Sequence, residues 1–147
     1  MIKYKSGFRH QLHEDAYTDT DIKIETAIIT TYIELYPGGR LWCRKGYAWD
    51  GPSGPCRWIA DRLPGWLKKK YLKTILSGSL FHDGLCQLMR MELLSGKWLH
   101  QANKEFRRVN IESKMSKFRV WYTFKVVDKC GSFAADPKNL KLVLTAP

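Results

Sequence analysis

No apolar run in the 147 residues approaches the ~18 that a membrane span requires, so no transmembrane segment is expected. The opening stretch Met1-Ile2-Lys3-Tyr4-Lys5-Ser6-Gly7 lacks the apolar core of a signal peptide, and the expected location is the cytoplasm. The four cysteines, Cys43, Cys56, Cys86 and Cys130, include no Cys-x-x-Cys pair. That argues against a structural zinc site and for free thiols serving as small, buried apolar side chains. No internal repeat, low-complexity linker, helix-turn-helix, zinc-finger or RNA-binding motif is legible, so no sequence-specific reader of nucleic acid is inferred.

Carboxylates are also scarce: 14 Asp and Glu stand against 25 Lys and Arg, for a formal net charge of +11. The imbalance is local. Residues 1–50 hold seven of each sign, whereas residues 51–147 hold eighteen basic side chains against seven acidic ones, so the whole excess lies in the later two-thirds. Such a field suits nucleic acid, an anionic lipid surface or an acidic protein partner, and equally a solvated basic surface with no ligand. A hydrophobic content of 44% and an aromatic content of 13% argue for a folded protein, and the length supports a single domain over 1–147.

Residues 1–21 are polar without a clean period, and His10 and His13 read as surface histidines. From Ile22 and Ile24 onward the chain is rich in β-branched residues and alternates. Residues 27–47 read as a β-hairpin around Pro37-Gly38-Gly39, with Leu41 and Cys43 on the return strand. The stretch Gly46 to Pro55 holds two prolines and several glycines and is forced into turns. Its polar content is Asp50, placed before Gly51, with Ser53 close behind. They suit either a cradle for an ion, built from backbone groups and one carboxylate, or an Asx-type turn in which Asp50 caps its own backbone.

Helical signals follow. Trp58, Ile59 and Leu63 suggest a short turn ended by Pro64-Gly65, and Trp66 to Ile75 a basic helix carrying Lys68, Lys69, Lys70 and Lys73. Gly78 is expected to interrupt it, and Ser95-Gly96 makes the next break. Residues 97–112 form an amphipathic helix with Trp98, Ala102, Phe106 and Val109 on one side and Lys104, Arg107 and Arg108 mostly on the wet side; Asn103 sits between rows and is able to look inward. Residues 116–130 fit both periods, and their length and position favour a helix stopped by Gly131. Leu140, Leu142 and Leu144 read as a closing strand added to the hairpin. The expected fold is α+β: an N-terminal β-hairpin or small antiparallel sheet packed on three to four helices, with a short C-terminal strand.

The chemistry concentrates at Ser79 to Met89. His82 shares a helical face with Leu85, Cys86, Met89 and Leu93, and Asp83 lies beside that stripe with Gln87 one turn on. Adjacent helix residues project about 100° apart, so His82 and Asp83 cannot pair and each needs its own partner.

Two separated motifs, Gly46, Tyr47, Asp50, Gly51, Ser53 and Pro55 and then His82, Asp83 and Leu85, with Ala102, Asn103 and Phe106 as a third, resemble the phage and prophage family called domain of unknown function 1353. Cys86 stands where that family usually has tyrosine, and Asn103 where it has aspartate. The resemblance covers about residues 40 to 110. It implies a phage origin, with residence in the host cytoplasm or association with the virion, and it supplies no reaction. A more distant likeness is to the secreted phospholipases A2, where a helix histidine activates water, the next aspartate holds calcium beside a Gly-rich loop, and an aspartate of a second helix orients the histidine. By that analogy His82 is the general base, Asp83 and Asp50 hold a divalent cation such as calcium, and Asn103 orients the imidazole. The cysteine framework of those enzymes is absent. An amide at 103 brings no negative charge, and the Asp-to-Asn change in a serine-protease triad costs ~10⁴ in turnover, so the site reads as weakened or retired.

Two other readings stand beside this one. His82 bonded to the Asp50 loop would make a structural clamp between hairpin and helices. The basic helices, through Lys68, Lys69, Lys70, Lys73, Arg107 and Arg108 with Trp66, Trp98 and Trp121, would make a surface for an acidic virion partner, nucleic acid or anionic lipid.

Overall fold

A computed structural model describes residues 2–4, 10–51, 61–62, 64–140 and 144–146. The hairpin around Pro37-Gly38-Gly39 is present: β5 (Ile33–Leu35) and β6 (Arg40–Cys43) run antiparallel with Ile33 opposite Cys43 and Leu35 opposite Leu41. The turn closes through the Gly39 N–H, which donates to the Tyr36 carbonyl at 2.8 Å. β3 (Ala16–Asp19) pairs on the far side of β6 and β4 (Ile28–Ile29) on the far side of β5, giving one four-stranded sheet in the order β3-β6-β5-β4. Because side chains alternate across a strand, Ile33, Leu35, Leu41 and Cys43 all fall on one face and are fully buried. β2 (His10–Gln11) pairs with β7 (Ala48–Trp49), bringing His10 beside the Asp50 loop.

Three long helices follow: α1 (Gly65–Arg90), α2 (Leu99–Glu112) and α3 (Lys117–Ala135). The buried sheet face packs with Leu80, Phe81, Leu85, Cys86, Leu88 and Met89 of α1 in one core. Earlier on α1, Tyr71 and Ile75 form a second core with Phe106 of α2, Val120 of α3 and Met115 of the segment between those two helices. Each fully buried Leu, Ile or Phe contributes on the order of 1.5–3 kcal/mol by leaving water, so the two cores fix where α1 lies.

Several expectations need correction. Gly78 does not break the chain, because α1 is continuous for 26 residues. The glycine is there for close approach: a Cβ at 78 would stand 2.3 Å from Asn110 Oδ1 on α2. Gly131 likewise does not stop α3, which continues to Ala135; a Cβ there would lie 3.3 Å from Asn103 Oδ1. Both glycines make room for a buried amide, a reason invisible to local propensity. The closing strand β8 (Leu144–Ala146) pairs with β1 (Ile2–Tyr4), not with the hairpin, and Leu140 lies before it. The polar first 21 residues supply three strands, while Ile22 and Ile24 sit in an irregular segment with Ile22 fully buried. Leu93 lies past the end of α1 and is exposed, so it does not join the His82 stripe. Trp58, Ile59, Leu63 and Leu142 lie outside the described residues.

Candidate functional site

His82 sits in the second half of α1, half-buried, with its ring edge-on to Phe106 of α2 at 5.5 Å. Its Nε2 lies 2.8 Å from Oδ1 of Asn103, which is 98% buried on the facing side of α2. The other end of the same amide, Nδ2, donates to Oδ1 of Asp128 on α3 at 3.1 Å. That carboxylate oxygen also meets His100 Nδ1 at 3.0 Å. Each of the three helices therefore gives one member to a relay His82–Asn103–Asp128, and His100 joins it at the outer end.

The relay fixes its own proton positions. The hydrogen bonds from Asn103 and His100 hold the Asp128 carboxyl below the usual carboxylate range, so it is ionised and only accepts. Asn103 must then turn its NH₂ toward Asp128 and its carbonyl toward His82. A carbonyl only accepts, so Nε2 of His82 carries a proton, and in the neutral ring the lone pair is left on Nδ1. Cys86 Sγ lies 3.9 Å from Nδ1 and 3.8 Å from Nε2, so it aims at neither nitrogen.

Burial works against a charge on His82, but the Cys86 sulfur, the Asn103 hydrogen bond and the Asp83 carboxyl outweigh it and lift the imidazole from 6.5 to about 9. Asp83 points away from this relay toward the loop. Burial raises its pKa, opposed by the positive charges of Arg90 and His82 and by a hydrogen bond from the Asp50 backbone. The pair thus has separate partners, as adjacent helix positions require: His82 faces Asn103, and Asp83 faces the Asp50 loop.

The loop is held by its own contacts. Trp49 donates from Nε1 to Ser79 Oγ of α1 at 3.3 Å, and its ring stacks on Tyr47 at 6.3 Å. Tyr47 is 98% buried, and burial together with Asp83 pushes its phenol well above the ordinary value. Gly51 adopts a left-handed φ of 72°, and a Cβ there would stand 2.8 Å from the ring of His10, which also packs against Trp49 at 5.3 Å. His10 is therefore a packed residue of this corner, in contrast to the exposed His13. Ser53 lies outside the described residues.

A hard divalent cation takes about six to eight oxygen ligands, several of them carboxylates. The Asp50 carboxylate is close enough to help raise the pKa of Asp83, but among the described residues no group of three or more His, Cys, Asp or Glu is gathered as a metal centre needs. These residues alone do not make the set.

The basic positions are not equivalent. Arg108 is spent internally: it bonds Glu105 at 2.8 Å, Glu112, Thr18 and the Asp19 carbonyl, tying α2 to β3. Arg107 lies over the Phe124 ring at 5.8 Å and lines a cleft of about 530 Å³ with His100, Lys104 and Glu105. Lys68 pairs with Asp61 at 2.8 Å, and Lys69 and Lys73 are exposed; the Lys70 side chain lies outside the described residues. Sequence reasoning found His82, Asp83, Asp50 and Asn103 but missed Asp128, His100 and Arg90. The only sign of Asp128 is a lone carboxylate in a lysine-rich helix.

No protein-family model, curated protein or solved structure matches this chain. Among the described residues no helix is long and apolar enough to cross a membrane.

Proposed function

We propose that the chain hydrolyses an ester or phosphoester bond, with His82 as general base. The observation that supports this reading above all is the relay, which leaves the imidazole lone pair on Nδ1 of a half-buried ring. In the proposed step Nδ1 takes a proton from water while the water oxygen attacks the carbonyl or phosphoryl centre; the imidazolium then returns that proton to the leaving oxygen. Asn103 holds the ring, and Asp128 supplies behind it the negative charge that an amide lacks. The division of labour parallels the phospholipase A2 analogy, with the orienting charge moved one helix further. No step is routed through a cation. Calcium at Asp50 and Asp83 remains a separate proposal, tested by whether the ion raises the unfolding midpoint.

Kinship with the phage family domain of unknown function 1353, and a host-cytoplasmic or virion-associated life, belong to the same proposal. In support, its three motifs, far apart in sequence, meet here: Tyr47 and Asp50 beside Asp83, and Asn103 and Phe106 against His82.

A second reading rests on the same bonds. His82, Asn103 and Asp128 join three helices, so the relay is equally suited to be a clamp in a non-enzymatic phage accessory protein that meets an acidic partner or nucleic acid through its basic helices. The test is His82→Ala, assayed with chromogenic carboxyl and phosphate esters and by thermal unfolding. The hydrolase reading expects a loss of about 10²–10⁴-fold in turnover with the fold retained. A large fall in midpoint, with no hydrolysis by the wild type at any pH, selects the clamp.

A further inference from the structure

We propose that the outer face of α3 docks on an anionic lipid surface, a property independent of the chemistry at His82. The inner side of this helix buries Val120, Thr123, Gly131 and Ala135. On the opposite side, at spacings of four, three, four and four, stand Phe118, Tyr122, Lys125, Lys129 and Phe133, with Trp121 beside them. Phe118 is 75% exposed, Trp121 57% and Phe133 73%. Aromatic side chains of this size left in water along one helix face mark a contact surface, since each forfeits the free energy of burial.

The charge on the stripe selects the partner. Lys125 and Lys129 make no ion pair among the described residues, and the one carboxylate of α3 near them, Asp128, is turned to Asn103 and His100. The face is therefore cationic and aromatic, the composition of a helix lying in a headgroup layer, where rings enter the acyl boundary and lysine stems reach back to anionic headgroups. Single-stranded nucleic acid also stacks on aromatics, but it is held in positively charged grooves and favours arginine. This face is a convex helix surface whose cations are lysines. The arginine of this part of α3, Arg119, is turned inward over the Tyr71 ring at 4.2 Å.

The experiment is flotation with vesicles of phosphatidylcholine alone and of phosphatidylcholine mixed with phosphatidylglycerol. The wild type is expected to float only with the anionic vesicles, and less so as salt rises. Phe118→Ser with Trp121→Ser should abolish flotation with the melting curve unchanged, because both side chains are in solvent. Lys125→Gln with Lys129→Gln should weaken binding by about 30-fold, roughly five-fold per lysine lost near an anionic surface. The lysine pair decides alone if the aromatic variant misfolds. Equal flotation of wild type and the lysine variant overturns the proposal. So does a wild type that ignores vesicles but binds an oligothymidine, or dimerises in sedimentation, through the same residues.

Discussion

The molecule carries two polar networks of similar make-up in opposite surroundings. On the outer face of the sheet, Arg44 bonds Glu34 at 2.7 Å and Asp15 at 2.8 Å while lying over the Trp42 ring at 4.7 Å, and Arg40 pairs with Asp19 at 2.7 Å over Tyr17. Those charges remain in contact with water. Among the helices, His82, Asn103 and Asp128 form a chain of the same length whose centre is almost wholly buried. Exposed ion pairs exchange one set of good partners for another and are screened by salt, so losing one changes little. A buried amide has no water to fall back on, and removing it leaves the half-buried His82 Nε2 without its acceptor, while Asp128, exposed and still bonded to His100, can turn to water. The sheet network is surface dressing for a strand pair; the helix network is where a substitution should change the protein's behaviour.

The largest expected effect is on turnover. If His82 is the base, it works only when neutral, so kcat/KM for an ester should rise with pH through about 9 rather than near the ordinary 6.5. Cys86→Ala should move the inflection down, because the sulfur is among the groups that raise it. A profile centred near 6.5 in both proteins would remove Cys86 from the account. Stability has the matching sign: a raised histidine pKa contributes fully below 6.5 and is lost as pH rises through about 9, which unfolding midpoints between pH 6 and 10 would record.

Next in size is Asn103→Ala, expected to cost about 2 kcal/mol in denaturant unfolding, since the His82 Nε2 donor loses its acceptor among the helices while the exposed Asp128 keeps His100 and water. Asn103→Asp places a second carboxylate beside Asp128 and should also destabilise, while Asp128→Asn in the same chain should recover most of the loss. A double-mutant cycle with no coupling would show that the relay is not one unit. Gly78→Ala should cost about 1–3 kcal/mol by forcing α1 off Asn110, against the gain that alanine gives an exposed helix. The smallest effect belongs to the other network: Arg44→Ala should shift the midpoint least of all, and the shift should vanish in high salt.

Much of the layout was legible from sequence because it is local. Pro37-Gly38-Gly39 marks the hairpin, alternation puts Ile33, Leu35, Leu41 and Cys43 on one face, and the apolar spacing of Trp98, Ala102, Phe106 and Val109 announces α2. Adjacency alone argues that His82 and Asp83 face different partners, and they do. What could not be read depends on approach between distant segments. Gly78 and Gly131 look like breaks until the amides of Asn110 and Asn103 are set against them. Asp128 is 25 residues from Asn103, on a helix whose period was itself ambiguous, so the charge missing at position 103 had no visible source. Arg108 looked like a surface cation because Thr18 and Asp19, which receive it, are 90 and 89 residues away.

The most direct test is ¹⁵N nuclear magnetic resonance of the His82 imidazole, titrated from pH 5 to 11. The relay requires a neutral ring with the proton on Nε2 and the lone pair on Nδ1, and Cys86, Asn103 and Asp83 together are expected to put the pKa at about 9. A neutral ring protonated on Nδ1 would contradict it, because Asn103 would then have to be turned round with its carbonyl against the Asp128 carboxylate, and His82 could not serve as the base.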